Sequence, residues 1–361
     1  MKFNFIGDIA TPDASCTNDL IRSVSGFQQI FQDAVGIANL EGLIHSGSVD
    51  EHKPILYNDE SVFSALKEMN IRGVSLANNH TLDLPHNYDK TYKLLGQNAI
   101  SHSGAGLSWE SAREPAVFEC NGKKIVLISA CWDVMLQHQK NPDHNLHVNR
   151  FNPDTLLDQV KQFRKEIPDA IIVLNLHWNL DLETIPFPMY RVLSKKLIDT
   201  GANVINGCHS HCIQGAERYK KGLIIYCPGN FFMPWYTFIN GTLELPEFTK
   251  KEMIVSWDSD SGTSEVHFFD YIPGKDGHQI SHICTEDFDG GSMINHYSPY
   301  RGLDNNFYVK WYKENRRKNK YIPVYKDPEN RTINNLYDQY MKIRIRVLRF
   351  LAHKQIRSWN N

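Results

Sequence analysis

The chain has 361 residues, of which 41% are hydrophobic and 22% are charged, and its formal net charge is −2. This length fits one large α/β domain with an extension, and the near-neutral charge argues against a molecule built around nucleic acid. The 7 cysteines form no Cys-x-x-Cys pair, and the sequence shows neither a leader nor a long apolar run. These features predict reduced thiols and a cytoplasmic protein.

In the first hundred residues, short apolar strands alternate with helices, and polar residues follow each strand. The predicted strands and the residues after them are Lys2–Ile6 before Asp8, Val35–Leu40 before Glu41, and Gly73–Ala77 before Asn78, Asn79 and His80. Apolar residues at helical spacing predict helices over Ser61–Met69 and Tyr88–Leu95.

The same pattern continues through the second hundred residues and beyond. An Asn121-Gly122 turn predicts a hairpin, and Pro153–Glu166 and Pro188–Thr200 are predicted helices. The hairpin strands are Ala116–Glu119 and Lys124–Ala130, and the closing strands are Met253–Ser256 and Val266–Tyr271. The other predicted strands, with the polar residues that come after them, are Ala170–Leu176 before His177, Val204-Ile205 before Cys208-His209-Ser210-His211, and Leu223–Tyr226 before Asn230.

The residues after these strands are of the types that bind catalytic metal ions. Because ligands of α/β proteins collect at the carboxyl ends of strands, we expect these side chains to meet at one edge. The predicted metal ligands are Asp8, Glu41, Asn79, His177, His209 and His211. His80, next to a ligand, is the predicted proton donor or oxyanion partner. Taken singly, each residue could instead be a turn, cap or buried core residue.

The pattern changes after about residue 285. Asp289–Ser292 reads as a linker, and a helix is predicted over Asn334–Ile356. Its predicted apolar stripe is Leu336, Tyr340, Ile343, Val347, Phe350 and Leu351, and its basic residues are Arg344, Arg346, Arg349, Lys354 and Arg357. We therefore predict a domain over residues 1–288 and a basic extension over 289–361. The helix could pack on the domain, contact an anionic membrane surface, or form an oligomer contact; no nucleic-acid motif accompanies it.

Seven short motifs, read in order, point to one family. They are Gly7-Asp8-Ile9, Ala38-Asn39-Leu40-Glu41, Ala77-Asn78-Asn79-His80, Gly104-Ala105-Gly106, Leu176-His177-Trp178, Gly207-Cys208-His209-Ser210-His211 and Tyr226-Cys227-Pro228-Gly229-Asn230-Phe231. The set resembles the CapA family of poly-γ-glutamate capsule synthesis proteins, within the calcineurin-like metallophosphatase superfamily. The resemblance covers roughly residues 1–270.

The resemblance implies a fold and a role for each site residue. The fold would be a four-layer α/β/β/α sandwich of two mixed sheets. Asp8 and His211 would hold a first metal, and Glu41 would bridge. A second metal would be bound by Asn79, His177 and His209. His80 would be the general acid or phosphate contact. Substrate contacts would come from Asn39, Asn78, Trp178, Glu183 and Asn230.

Some positions depart from the family pattern. Ala10 stands where the superfamily has a second histidine, which predicts a weaker first metal site and tighter binding of the ion at His209 than of the ion at His211. Cys208 replaces a common histidine and is either an inert small residue or a soft ligand. The mixed donor set accepts two divalent ions of manganese, iron or zinc.

Three functions fit these observations. The first is a metal-dependent hydrolase of the phosphoesterase type, acting on a small molecule or polymer in capsule or cell-surface polymer synthesis. The second is a non-catalytic accessory or polymer-binding subunit of a capsule synthesis complex. The third is a hydrolase of γ-glutamyl amide or peptide bonds. Selectivity would lie in the loops Asp133–Asn152 and Met233–Thr249. The expected location is the cytoplasm, with the inner face of the membrane as an alternative.

Overall fold

The computed structural model describes residues 1–49, 55–136, 144–234, 246–274, 277–317 and 329–353. The helices in these ranges are α1 Ala14–Ser25, α2 Gln29–Gln32, α3 Val62–Glu68, α4 Tyr88–Gln97, α5 Trp109–Arg113, α6 Pro153–Glu166, α7 Pro188–Thr200, α8 Ser292–Tyr297, α9 Asn305–Asn315 and α10 Arg331–His353. The strands are β1 Lys2–Ile9, β2 Ala34–Leu40, β3 Leu43–Ile44, β4 Tyr57–Asn58, β5 Ile71–Ser75, β6 Ser101–Ser103, β7 Ala105–Gly106, β8 Ala116–Cys120, β9 Lys123–Cys131, β10 His147–Val148, β11 Ile171–His177, β12 Val204–Cys208, β13 Ile213–Tyr219, β14 Gly222–Pro228, β15 Lys251–Asp258, β16 Ser264–Gly274 and β17 Gly277–Asp287.

Two large sheets organise the molecule. The first sheet has the order β17-β16-β15-β1-β2-β5-β6, and the second has the order β13-β14-β12-β11-β9-β8. In the first sheet β1, β2, β5 and β6 are parallel, while β15, β16 and β17 are antiparallel. In the second sheet the central strands are parallel, and β8 and β13 run antiparallel at its edges. Both sheets are therefore mixed, as predicted.

Buried side chains divide into three layers of core. Between the sheets, Phe5 and Ile37 of the first sheet pack with Leu127 and Val173 of the second. On the far side of the first sheet Ile6 joins the helices α1 to α4 in another cluster. Outside the second sheet a third cluster gathers the helices α6 and α7. Because successive residues of a strand face opposite sides, each sheet buries side chains on both of its faces, one against the other sheet and one against helices. The predicted four-layer α/β/β/α sandwich is therefore confirmed.

The sequence signals for local structure hold where they depend on backbone chemistry. The turn between β8 and β9 places Asn121 at φ 48° and Gly122 at φ 74°, the left-handed pair of a type I′ hairpin. Strand β1 continues past the predicted end, so Asp8 lies in its last residues. Gly7 permits this, since a Cβ there would lie 1.9 Å from the Gly229 carbonyl oxygen. The first strand thereby reaches the loop after β14.

From Tyr300 onward, the chain after β17 packs against the outer face of the second sheet. Tyr300, Tyr308 and Tyr312 are buried in the cluster that includes α6 and α7, and Tyr337 and Met341 of α10 join them. The domain boundary at residue 288 stays a prediction. None of the helices in the described ranges is both long and apolar enough to cross a bilayer.

Helix α10 does not bury the stripe that its sequence predicts. Leu336, Ile343 and Phe350 are 65%, 60% and 59% exposed. The helix instead packs through Tyr337 and Met341, with Ile345 partly buried. The helix therefore packs on the domain, one of the three predicted alternatives, but through residues other than the predicted stripe. The second sheet's helical layer offers aromatic rings to Tyr337, including Phe187 at 6.3 Å between ring centroids, and this contact fixes the helix rotation.

Candidate metal centre

The predicted ligands meet at one edge of the sandwich, between the two sheets. Asp8 lies near the end of β1, Glu41 directly follows β2, and Asn79 lies in the loop after β5. His177 is the last residue of β11, and His209 and His211 follow β12. All six are buried, with exposures from 0% to 7%. The parallel strands of both sheets end at this edge, so residues far apart in sequence come into contact.

The titratable side chains form two groups. Asp8, Glu41 and His177 each offer a ligand atom within 4.8 Å of the others, and so do Asp181, His209 and His211. This grouping differs from the pairing that the family resemblance implies, since His177 lies with the two carboxylates. The Nδ1 atom of His211 nevertheless lies 3.5 Å from Asp8 Oδ2, which connects the groups.

Asp181 was absent from the sequence-based set. Its Oδ1 atom is 3.4 Å from His209 Nε2 and 4.0 Å from His211 Nε2, although its side chain is 54% exposed. The residue belongs to a loop, so no strand pattern marks it. The available signal was its distance of four residues from His177 in a polar loop at the same edge.

One amide connects the two buried carboxylates. Asn39 Nδ2 donates to Asp8 Oδ1 at 2.8 Å and to Glu41 Oε2 at 3.2 Å. Burial, followed by the nearby Asp8 carboxylate, raises the pKa of Glu41 well above its ordinary value. Two buried carboxylates without a cationic side chain between them are costly, and a divalent cation would relieve that cost.

The histidines differ in charge preference. Burial lowers the pKa of His177 well below its ordinary value and lowers the pKa of His209 to about 4. Both imidazoles are therefore neutral near pH 7, which is the form that binds metal. For His211 burial also lowers the pKa, but Asp8 and Asp181 outweigh it and raise the pKa overall.

Buried atoms without hydrogen-bond partners test whether metal ions fit. In the described part of the chain, Glu41 Oε1 and both ring nitrogens of His209 have none. Buried polar atoms are nearly always paired in folded proteins, so several such atoms in one cluster indicate a ligand site. Carboxylate oxygens and imidazole nitrogens suit manganese, iron and zinc. The residues present therefore fit divalent metal ions.

His80 is held beside this cluster. Its Nδ1 atom lies 2.6 Å from Asp83 Oδ2, and its Nε2 atom lies 3.9 Å from Glu41 Oε1. The carboxylate fixes the Nδ1–H tautomer, which leaves Nε2 directed at the cluster. The side chain is 15% exposed, so solvent and substrate can approach. The predicted role in proton transfer remains a prediction, and this geometry is compatible with it.

Three asparagines predicted as substrate contacts hydrogen-bond within the site. Asn39 binds the carboxylates, as described. Asn78 Nδ2 donates to the Leu40 carbonyl at 2.8 Å, which ties the β5 loop to β2. Asn230 Oδ1 lies 2.8 Å from His211 Nδ1. These contacts orient the ligand side chains, and outer contacts of this kind tune metal binding.

The cluster does not include Trp178 or Glu183. The indole of Trp178 is buried in the outer helical layer, where its Nε1–H donates to the Tyr226 carbonyl at 3.1 Å and the ring stacks on Tyr190. Glu183 is fully buried, and its Oε1 accepts from the backbone N–H of Arg317 at 3.1 Å. Both side chains therefore stabilise the scaffold next to the site.

The two departures from the family pattern are both buried. Ala10 packs with Leu56 and Met233. Burial raises the pKa of the Cys208 thiol well above its ordinary value, which favours an inert small residue over a thiolate ligand. All 7 cysteines are free, as predicted. Within the predicted selectivity loops, residues 137–143 and 235–245 lie outside the described residues.

Comparison with known proteins gives a family match and distant relatives. The model of the bacterial capsule synthesis protein family PGA_cap matches residues 2–234. The capsule biosynthesis protein CapA of Bacillus anthracis is 29% identical over 175 residues, covering 48% of this chain and 42% of that protein. The PGA biosynthesis protein CapA of Bacillus subtilis strain 168 is 28% identical over 178 residues, covering 48% and 45%. The chain thus matches less than half the length of each relative.

Solved structures are similar only at a low level. A phosphatase from Mycoplasma pneumoniae is 14% identical, with a TM-score of 0.45 over 80% of this chain and 94% of that one. The calcineurin-like phosphoesterase YfkN from Bacillus subtilis is 11% identical, with a TM-score of 0.40 over 86% and 99%. Scores of this size support no conclusion about activity.

Proposed function

Since this chain belongs to the bacterial capsule synthesis protein family PGA_cap, we propose that it is a metal-dependent hydrolase of the phosphoesterase type. Its substrate would be a small molecule or polymer in the synthesis of a capsule or other cell-surface polymer. The observation that supports this proposal is the buried cluster, in which carboxylates of the first sheet meet histidines of the second. The orphaned ring nitrogens of His209 supply the strongest part of it.

The residues divide into those that hold ions and those that hold other residues. Asp8, Glu41 and His177 would bind one divalent ion, and His209 and His211 would bind a second. Bound divalent ions supply Lewis acidity, which polarises a phosphoryl or carbonyl oxygen and lowers the pKa of water. Asn39 keeps both carboxylates in place through its two donated hydrogen bonds.

Proton transfer falls to His80. Asp83 accepts a hydrogen bond from Nδ1 and so keeps the second nitrogen available. At Nε2 the imidazole can carry a proton to the leaving group or hydrogen-bond a developing oxyanion. Glu41 Oε1 lies 3.9 Å from this Nε2 atom. The partial exposure of His80 places this chemistry at the entrance of the cluster.

Metal analysis and a generic phosphodiester assay test the proposal. We expect the purified chain to bind close to two ions of manganese, iron or zinc and to hydrolyse bis(p-nitrophenyl) phosphate. His209→Ala should lose metal and activity together. His80→Gln should keep the metal but lose roughly 10²–10⁴-fold in rate. His296→Ala, at an exposed histidine of α8, is the matched control. No bound metal, with unchanged activity in His209→Ala, would contradict the proposal.

Ala10 favours one alternative function. Without a second histidine beside Asp8, the chain could retain the fold and bind polymer as a non-catalytic subunit of a capsule synthesis complex. Metal occupancy separates the two: two ions with phosphodiesterase activity support the enzyme, and an empty cluster with polymer binding supports the subunit. The similarity to the PGA biosynthesis protein CapA of Bacillus subtilis also motivates γ-glutamyl amides as substrates. Parallel assays with γ-glutamyl amides and phosphodiesters would decide between the two substrate classes.

A further inference from the structure

The loop after β11 brings a seventh ligand-type side chain to the metal cluster. We propose that Asp181 is a metal ligand that completes a three-residue site with His209 and His211. This inference rests on the proposed function, because it concerns one of the same ions. The two imidazoles alone would give that ion few protein ligands, since Ala10 occupies the position of the expected histidine. A carboxylate from the other side of the cluster supplies a further ligand.

The position of Asp181 is set by hydrogen bonds on both sides of it. The Leu182 N–H donates to the Ser210 carbonyl at 2.8 Å, which fastens the loop to the turn that carries both histidines. Asn179 Nδ2 donates to Gln214 Oε1 at 3.0 Å. Asn179 and Leu182 adopt φ angles of 78° and 61°. A left-handed leucine costs free energy, so the surrounding contacts hold the loop in this shape.

His209 gives the independent evidence that the group binds a ligand. The side chain is 0% exposed, and in the described part of the chain neither ring nitrogen has a hydrogen-bond partner. Its Nε2 atom lies 3.4 Å from Asp181 Oδ1, so both side chains offer a ligand atom to the same space. Asp181 is half-exposed, which places this ion at the solvent side of the cluster. The ion bound by Asp8, Glu41 and His177 would then be the inner one.

Metal stoichiometry and affinity test this assignment without relying on activity. Asp181→Asn keeps the side-chain size but removes the anionic ligand. We expect the inner ion to remain and the second to bind at least about tenfold more weakly, since losing even an outer contact costs about 10–100-fold. Plasma mass spectrometry gives the ion count, and the Mn²⁺ paramagnetic resonance spectrum should lose its signature of two coupled ions. Asp169→Asn, at an exposed residue before the same strand, is the control.

The outcomes separate this inference from the proposed function. If Asp181→Asn binds two ions with unchanged affinity while the wild type also binds two, Asp181 is not a ligand and the proposed function stands. If the wild type binds no ion, the proposed function and the inference both fail. A loss of both ions in Asp181→Asn, with unchanged unfolding of the metal-free protein, would overturn the separation into inner and solvent-side ions.

A second inference comes from the surface of α10. Six large side chains at alternating spacings of three and four residues face solvent, and we call them the outer stripe: Ile333, Leu336, Tyr340, Ile343, Val347 and Phe350, each between 42% and 65% exposed. Isolated apolar side chains on a surface are ordinary, but a continuous row of this kind indicates a binding surface. The opposite side of the helix is already occupied by the second sheet's helical layer.

Charge decides between the candidate partners of the outer stripe. Helix α10 contains five basic residues and one acidic residue, Asp338, and Asp338 accepts from the Trp132 indole on the packed side. Arg344 and Arg346 flank the stripe, and the described part of the chain gives neither an ion pair. Two copies joined through this face would bring like charges together, whereas anionic lipid would complement them. We infer that α10 lies on an anionic membrane surface through the outer stripe.

Vesicle binding tests this surface. We expect the full chain to bind phosphatidylglycerol-containing vesicles about tenfold or more tightly than pure phosphatidylcholine vesicles, since each surface arginine adds to the attraction. Leu336→Ser with Ile343→Ser should abolish binding, and Arg344→Gln with Arg346→Gln should abolish the lipid preference. Val117→Ser with Ile272→Ser, which removes exposed apolar groups elsewhere, is the control. Absence of binding, or a dimer in sedimentation that Leu336→Ser with Ile343→Ser dissociates, would overturn the inference.

Discussion

Gly207, two residues before His209, lies at a close approach of β12 to Tyr226 and Trp178. A Cβ at this position would lie 2.0 Å from the Tyr226 carbonyl oxygen and 2.4 Å from Trp178 Nε1. Both contacts are shorter than any stable non-bonded approach, and one of them is to backbone. The absence of a side chain at Gly207 therefore allows β12 to lie this close to β14, and this spacing places His209.

Gly207→Ala is expected to lower the free energy of unfolding by roughly 2 kcal/mol or more, because overpacking a rigid site forces backbone shifts. Urea denaturation measures this loss, and the metal-binding assay should show weaker binding. Gly96→Ala is the control, since nothing lies within 4 Å of a Cβ there and a helical alanine is favourable. Equal stability of Gly207→Ala and wild type would contradict the close approach.

At the level of single residues, side chains at or soon after the end of an apolar strand could be predicted, whereas Asp181, further along its loop, could not. Asp8, Glu41 and His177 each follow an apolar run, so the strand pattern alone marks them. Asp181 lies in a loop whose shape depends on contacts with Ser210 and Gln214, and these are distant in sequence. Trp178 was predicted as a substrate contact but does not reach the cluster. Its neighbour His177 faces the cluster, whereas the ring of Trp178 faces the outer core. The reason is that successive side chains along a strand point to opposite faces of the sheet.

At the level of elements, the carboxylate of Asp338 makes the docking of α10 depend on pH. The group is mostly buried and accepts from Trp132 Nε1 at 3.3 Å. Burial raises the pKa of Asp338 to about 6, above its ordinary value of 3.8. The folded protein therefore keeps a proton that the unfolded chain releases in this interval. Stability is highest below the unfolded pKa and falls as the pH rises through 6.

Asp338→Asn should remove this dependence. The amide keeps the acceptor for Trp132 without a charge to desolvate. We expect the variant to be more stable than wild type by about 1–2 kcal/mol at pH 7, after discounting for partial exposure, and similar at pH 4. Denaturation curves at both pH values measure the difference, with Asp158→Asn on the exposed face of α6 as control. An unchanged pH dependence would show that Asp338 stays solvated.

Helix α10 shows where periodicity stops being informative. Two apolar stripes share this helix, one through Leu336 and Ile343 and another through Tyr337 and Met341. Helical spacing fits both, so the sequence predicts a helix but not its rotation. The rotation of the helix is determined by the aromatic layer of the domain, where Tyr337 packs against Phe187. Predictions that rest on backbone chemistry, such as the Asn121-Gly122 hairpin, need no such partner and were confirmed.

At the scale of the whole molecule, the layered fold followed from alternating strands and helices, together with the family resemblance. The predicted boundary at residue 288 had only composition behind it. In the structure the side chains beyond it contribute to the core outside the second sheet. Arg191, paired with Glu217 through two hydrogen bonds of 2.8 Å, lies 4.7 Å from the ring centroid of Tyr308. A buried ion pair thereby depends on a residue of the extension.

A chain that ends at residue 288 tests the boundary. We expect it to aggregate or to unfold at much lower urea concentration, because Tyr300, Tyr308 and Tyr312 would no longer cover the second sheet and the Arg191–Glu217 pair. Losing several buried aromatic side chains, at about 3–5 kcal/mol each when truncated, exceeds the usual stability of a domain. A chain ending at residue 353 is the control. A stable monomer ending at 288 would confirm an independent domain.

The position of β1 in the middle of the first sheet also affects when the site can form. Asp8 belongs to β1, which is paired on one side with β15, where Phe3 faces Trp257. During synthesis the ribosome must therefore release the chain as far as β15 before β1 is paired on both sides and Asp8 can be fixed opposite His209 and His211. Under the proposed function, the folded protein would then select its ions from those available around it after release from the ribosome.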